Sequence, residues 1–214
     1  MTRRRAGLFG GTFDPVHKAH LALAAVALQA LNLDEVRWVP AGQPWQKART
    51  ITDAVHREAM LRLAIAHEPR HVLDRIELER SGASYTLTTV RALQALHPGT
   101  DWHLLIGQDQ HAALHTWHGW QELLSLVTLA VAQRPVSSSA AEPQEPQAAP
   151  PAVHPEVLRH GYEALPLPLL PISATQVRTL AAQGADVSVL SALVPSEVAS
   201  YIYRHGLYRP ATRS

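Results

Sequence analysis

Short apolar runs alternate with longer stretches of helical period over the first 130 residues. That alternation predicts a parallel α/β sheet whose strands are joined by helical crossovers. Ala6 to Phe9 is the first expected strand. His20 to Leu31 follows, apolar nearly all round and therefore expected to be a buried helix. Val36 to Val39 predicts a second strand, stopped by Pro40. Thr52 or Asp53 can cap a helix running to about His67, with Val55, Met60 and Leu63 facing inward. Val72 to Leu78 predicts a third strand.

Ser84 is placed to cap the next helix. Leu87, Val90 and Leu93 recur along it at three-residue spacing, and Pro98-Gly99 ends it. Trp102 to Ile106, closed by Gly107, and Val127 to Ala132 predict the fourth and fifth strands. The composition then changes. Val136 to Pro155 is rich in Pro, Ser, Ala, Gln and Glu without an apolar period, which predicts a flexible, partly extended loop. A domain boundary is the other reading of this stretch. About sixty residues follow it, so an insertion at about 136–155 within one domain spanning 1–214 is the reading adopted. Leu165 to Ile172 is expected to be extended. A helix is expected from Ala174 to Gln183 with Gly184 as its stop, and another from about Pro195 to His205, ended by Gly206. The chain has no internal repeat.

The strongest chemical signal is Gly10-Gly11-Thr12-Phe13-Asp14-Pro15-Val16-His17-Lys18-Ala19-His20. It falls where the first strand hands over to the first helix, and the carboxyl end of a parallel strand is where ligands bind. Two glycines let the backbone approach a phosphate closely, and neighbouring amides can donate to it. The spacings of a P-loop or a dinucleotide fingerprint are missing. His17 and His20 on one helical turn face the same way. A metal pair, which needs a further ligand, and two structural histidines are the other readings. Beside the glycines, phosphate handling is favoured. In Ile172-Ser173-Ala174-Thr175-Gln176-Val177-Arg178 the hydroxyls lie at a helix start, where free amides meet anions, and Arg178 can fork onto phosphate oxygens. The same stretch also reads as a simple helix cap.

Composition narrows the class. Lys plus Arg total 19 against 18 acidic residues, so there is no basic bias for bulk nucleic-acid binding. The absence of cysteine removes disulfides, thiolate zinc sites and cysteine nucleophiles. Arg3, Arg4 and Arg5 could open a signal peptide, but Asp14 and His17 arrive before any apolar h-region. The longest apolar run, Leu21 to Leu28, is too short to span a membrane. A soluble cytoplasmic protein is expected. His111, His115 and His118, around Trp117, have spacings open to a helical zinc site or to a pocket rim. Trp117 and Trp120 read equally as core.

The glycine–histidine motif resembles the signature of the nucleotidyltransferase superfamily whose motif is written His-x-Gly-His, with Ala19 where that family usually has Gly. Residues 172–178 resemble its C-terminal Ile-Ser-Ser-Thr-x-x-Arg motif, with Ala174 in place of the second Ser. Ser84-Tyr85-Thr86, Ile106-Gly107-Gln108-Asp109, Thr116-Trp117, Tyr201-Ile202 and Gly206-Leu207-Tyr208-Arg209 are similar to the nicotinate branch, the nicotinate-nucleotide adenylyltransferases. After Val39-Pro40 that branch often reads Pro-Pro-His-Lys. This chain reads Pro44-Trp45-Gln46-Lys47, keeping the Lys and losing the His. His118 stands where related sequences often carry Tyr.

The resemblance implies a Rossmann-like parallel sheet flanked by helices, with a small C-terminal helical segment. It implies transfer of AMP from ATP to nicotinate mononucleotide in NAD biosynthesis, with Mg2+ delivered on ATP. It carries catalytic roles onto His17, His20, Lys47 and Arg178. Nucleotide binding falls to Gly10, Gly11, Thr12, Phe13, Gly107, Asp109, Arg134, Ser173 and Thr175, and acceptor binding to Tyr85, Thr86 and Trp117. The expected partners are the two substrates, with no nucleic acid or membrane, and a homo-oligomer is allowed. Another phosphorylated acceptor such as phosphopantetheine, or nucleotide binding without catalysis, are the alternatives.

Overall fold

The computed structural model describes residues 3–42, 51–133, 152–167 and 170–210. Six parallel strands form one sheet: β1 (Arg4–Gly11), β2 (Glu35–Pro40), β3 (His71–Leu73), β4 (Thr100–Gly107), β5 (Thr128–Gln133) and β6 (Glu163–Pro166). Their spatial order is β3-β2-β1-β4-β5-β6. This is the doubly wound Rossmann order, and it reverses direction between β1 and β4. The register there sets Arg4 beside Thr100 and Leu8 beside Leu104. The carboxyl ends of β1 and β4 therefore rise side by side and open a crevice.

The helices are α1 (Lys18–Ala30), α2 (Ala54–Ile65), α3 (Thr86–Leu96), α4 (Gln108–Ala113), α5 (Trp120–Leu126), α6 (Pro155–His160), α7 (Ala174–Ala182), α8 (Val187–Ser191) and α9 (Ser196–Arg204). They cover both faces, so alternate strand residues feed two apolar layers, and strand stretches such as Ala6–Phe9, Leu104–Ile106 and Leu129–Ala132 read as continuous apolar runs. On one side Phe9, Val36, Trp38 and Leu105 meet α1, α2 and the C-terminal helices. On the other Leu8, Val39, Leu104, Ile106 and Val131 meet α3 and α5. Leu87, Val90 and Leu93 are all buried there, as their spacing predicts.

Several expectations need correction. Only one face of α1 is buried, through Leu23, Ala24, Ala27 and Leu28, because its many alanines read as apolar at no cost when exposed. Pro40 is the last residue of β2, paired with Gly11, where the missing N–H does not interrupt the ladder. Met60 is buried and Leu63 packs partly against the core as expected, but Val55 is 69% exposed, and Arg57, Leu61 and Ile65 turn inward beside Met60. β3 stops at Leu73, since Asp74 Oδ1 accepts the Ile76 amide and turns the chain. The cap position of α3 is Tyr85, while the Ser84 hydroxyl accepts the Gly42 amide at 3.2 Å. The strand expected over Leu165 to Ile172 is β6, which ends at Pro166, and residues 168–169 lie outside the described residues. Most of the 136–155 segment also lies outside them. Its end is structured: His154 caps α6, whose first residue is Pro155. The short helices α4, α5, α6 and α8 carry too few periods to be read from pattern.

Candidate active site

The crevice between β1 and β4 is an open cleft of about 390 Å³. It is lined by the Gly10–Asp14 turn, His17 and His20 at the β1–α1 junction, by Leu104 to Gly107 and Gln110 from β4 and α4, and by Ser84, Tyr85, Thr86, Trp117 and His118 around the starts of α3 and α5. Among the described residues no atom beyond its chain neighbours lies within 4 Å of a Cβ built on Gly10, so only backbone meets the space there. Gly11 has a different reason to be glycine. A Cβ would stand 2.9 Å from the Phe13 ring, which folds back over it from a left-handed backbone at φ 47°. Phe13 is held there edge-on to Phe9 at 5.5 Å and to His20 at 5.2 Å.

His17 occupies the cap position of α1, and its amide donates to His20 Nδ1 at 3.2 Å. That bond makes Nδ1 an acceptor and leaves the His20 proton on Nε2. The two imidazoles stack with centroids 3.6 Å apart and planes 22° off parallel. His17 is 8% exposed, and its Nδ1 has no hydrogen-bond partner among the described residues. Burial pushes its pKa down to about 4, so the ring is neutral at pH 7. Two stacked imidazoles at this separation would repel if both were charged.

Three residues the sequence reading left without a role hold the turn. Asp14, 2% exposed, accepts the Tyr208 hydroxyl on Oδ1 at 2.9 Å and the Thr52 amide on Oδ2 at 3.4 Å. Burial, then the Asp14 carboxylate, raise the Tyr208 phenol above its ordinary pKa, so it stays a donor. Arg57, also 2% exposed, donates to the carbonyls of Thr52, Thr12 and Gly42. Burial lowers its pKa, offset in part by Asp14. One signal for it was available: Arg57 shares a helix face with Met60 and Leu61, an odd place for a charge. Arg178 supplies the fourth tie, donating to the Asp14 carbonyl at 2.8 Å and to Thr175 Oγ1 at 2.9 Å.

The remaining candidates separate. Gly10, Gly11, Thr12, Phe13, His17, His20, Tyr85, Thr86, Gly107 and Trp117 all line the cleft. From the C-terminal motif Ala174 lines it, while Ser173 caps α7 by accepting the Gln176 amide at 3.1 Å. Asp109 is exposed in the first turn of α4 and does not line the cleft. Lys47 and Arg134 lie outside the described residues. The three clustered histidines take three directions. His118 packs at a tilt on Tyr85 at 4.6 Å, His115 stacks on His154 at 5.3 Å, and buried His111 meets the Tyr162 ring edge-on at 4.8 Å. Among the described residues no group of three His, Asp or Glu side chains is placed to hold a metal, and no helix is long and apolar enough to cross a membrane.

A family model described as cytidylyltransferase-like matches residues 8–180. A protein of Methylibium petroleiphilum named "Probable nicotinate-nucleotide adenylyltransferase" is 48% identical over 209 residues, which cover 97% of this chain and 94% of that protein. One of the same name from Bordetella petrii is 45% identical over 210 residues, covering 96% and 100%. The solved structure of "Plasmodium falciparum nicotinic acid mononucleotide adenylyltransferase complexed with NaAD" matches with a TM-score of 0.74. It covers 96% of this chain and 97% of its own, at 17% identity, and speaks for the fold.

Proposed function

The chain belongs to the cytidylyltransferase-like family and within it to the nicotinate-nucleotide adenylyltransferases, and from that premise we propose that it transfers AMP from ATP to nicotinate mononucleotide, giving nicotinate adenine dinucleotide and pyrophosphate in NAD biosynthesis. The observation that carries the reading is one cleft shared by the Gly10–Gly11 turn, the His17–His20 pair, and Thr86 with Trp117.

The acceptor's phosphate is the nucleophile. With a second pKa of about 6 it is mostly dianionic at neutral pH and needs no general base. One of its oxygens bonds to the α-phosphorus of ATP as the bond to the bridging oxygen breaks and pyrophosphate leaves. The protein's part is positioning and charge stabilisation. His20 donates from Nε2 and His17 as a neutral imidazole, both toward the ATP phosphates. Lys47 and Arg178 neutralise the triphosphate and the leaving group, and Arg134 adds a phosphate contact. Gly107 and Asp109 hold the adenosine side, and Ser173 and Thr175 the phosphates. On the far wall Tyr85, Thr86 and Trp117 take the nicotinate ring and its carboxylate. Magnesium comes as part of the MgATP substrate, since it keeps waters and favours phosphate oxygens. We read residues 1–214 as one cytoplasmic domain; β6, beyond the insertion, rejoins β5 in the same sheet.

Pyrophosphate release measured over several phosphorylated acceptors, with ATP and CTP compared, tests the reading. Release with ATP and nicotinate mononucleotide is expected. Release only with CTP, or only with another acceptor, overturns it.

A further inference from the structure

Glu77 is a carboxyl that nothing above uses. It lies 8% exposed on the cleft wall that carries Ser84, Tyr85 and Thr86. Thr89 Oγ1 donates to Glu77 Oε1 at 2.7 Å, closer than its other acceptor, the Tyr85 carbonyl at 3.3 Å, and Arg80 Nη2 donates to the same Thr89 oxygen at 2.8 Å. The Ser84 hydroxyl lies close enough to the Glu77 carboxyl to favour its charged form, and it accepts the Gly42 amide at 3.2 Å. Gly42 also sits directly on the Glu77 backbone, where any Cβ would fall 2.1 Å from the Glu77 carbonyl oxygen. Glu77 therefore holds residue 89 by a hydrogen bond and faces the Ser84 hydroxyl, one on either side of the Tyr85–Thr86 turn, and its backbone packs against Gly42, just past the end of β2.

We propose that Glu77 is the positioning residue for the acceptor, fixing the Tyr85–Thr86 turn so that its amides and the Thr86 hydroxyl meet the pyridine carboxylate. The proposal rests on the adenylyltransferase reading above. A carboxyl suits the task because it offers two acceptor oxygens to two hydroxyls at once. A buried carboxyl is costly, and here burial outweighs the hydroxyl donors and Arg80 in raising its pKa. An amide keeps one acceptor oxygen and an alanine keeps none. The ATP wall of the cleft shares no hydrogen bond with Glu77 among those described.

The test is steady-state kinetics of E77A and E77Q in the full chain, with KM for each substrate measured separately. E77A is expected to raise the acceptor KM about tenfold and leave the ATP KM within about twofold. E77Q is expected to fall between E77A and wild type. Should E77A not fold, S84A and T89V each remove one of these contacts and must show the same acceptor-only rise. An unchanged acceptor KM, or equal rises for both substrates, overturns the role of Glu77. A wild type that releases no pyrophosphate with nicotinate mononucleotide overturns the parent reading instead, and the two failures are distinct.

Discussion

Arg178 and Asp14 are 164 residues apart in the chain, yet the Arg178 guanidinium donates to the Asp14 carbonyl at 2.8 Å. The C-terminal motif thereby braces the N-terminal glycine turn. The second arm of the same fork holds Thr175. A guanidinium presents several donors in a fixed plane, so it can brace the turn and face a phosphate together, which a lysine ammonium on a flexible stem cannot do.

R178K is therefore expected to lose nearly as much turnover as R178A, roughly tenfold or more for each. The measurement is kcat with both substrates saturating. A lysine variant close to wild type would reduce the residue's role to charge alone.

His20 is expected to matter more for rate than for stability. A donor aimed at charge that develops in the transition state is worth roughly two to three decades. Loss of its bond from the His17 amide removes one helix-cap contact, about 1 kcal/mol. H20A should thus show a modest fall in Tm and a large fall in turnover. Near wild-type turnover removes His20 from the mechanism.

These residues were legible because they are local. The glycine turn, the histidine pair and the Ser84–Thr86 stretch are contiguous, and the strand-to-helix setting alone locates them at a ligand-binding edge. The supporting ties were not legible. Asp14 with Tyr208, Arg57 with Thr12 and Arg178 with Asp14 span 194, 45 and 164 residues, and no spacing rule joins them. For Gly11 the Phe13 ring adds a second demand for glycine that no local spacing announces. Asp109 matched a sequence pattern, and it stands exposed in the first turn of α4, just past Gly107 at the end of β4. Among the elements, the longest patterns held best. The short helices α4, α5, α6 and α8 are fixed by tertiary packing rather than by period.

The low pKa of His17 has a stability consequence of fixed sign. The unfolded imidazole takes its proton near pH 6.5 and the folded one only near pH 4. Across that window the unfolded chain binds more protons, so stability is complete above about pH 6.5 and is lost as pH falls toward 4, by about 3 kcal/mol for this group alone. Urea midpoints of wild type and H17N between pH 7 and 4 check it. H17N should lose less stability on acidification, and identical slopes would remove the effect. Activity behaves differently. The acid limb of kcat/KM for the acceptor is expected near pH 6, where its phosphate titrates, and should stay there in H17N.

The insertion gives a sharper expectation than its composition did. Replacing residues 136–150 with a Gly-Ser linker should cost under about 1 kcal/mol, because closing a loop depends weakly on its length. Carrying the deletion through His154 should cost more, since Val153 packs on the α3–α5 layer and His154 caps α6. Melting temperatures of the two deletions compare directly. Equal losses would make the 136–150 stretch itself structural.

Acceptor choice depends on the wall opposite the phosphates. Nicotinate and nicotinamide mononucleotides differ by a carboxylate against an amide. Donors suited to a carboxylate reject an amide, whose own N–H groups would face them. Thr86 is the first residue of α3, where helix amides have no partner within the helix, and it lines the cleft beside Trp117. The pyridinium ring is cationic, so a tryptophan face contributes about 0.5–2 kcal/mol to either acceptor. W117A is expected to weaken both acceptors alike, while T86V narrows the preference for nicotinate. His118 packs at a tilt against Tyr85 at this wall. The measurement is the ratio of kcat/KM for the two acceptors in wild type and both variants. A wild type that uses both equally defeats the nicotinate assignment and leaves adenylyl transfer standing. A ratio altered by W117A and untouched by T86V would move the selecting group from the α3 turn to the tryptophan.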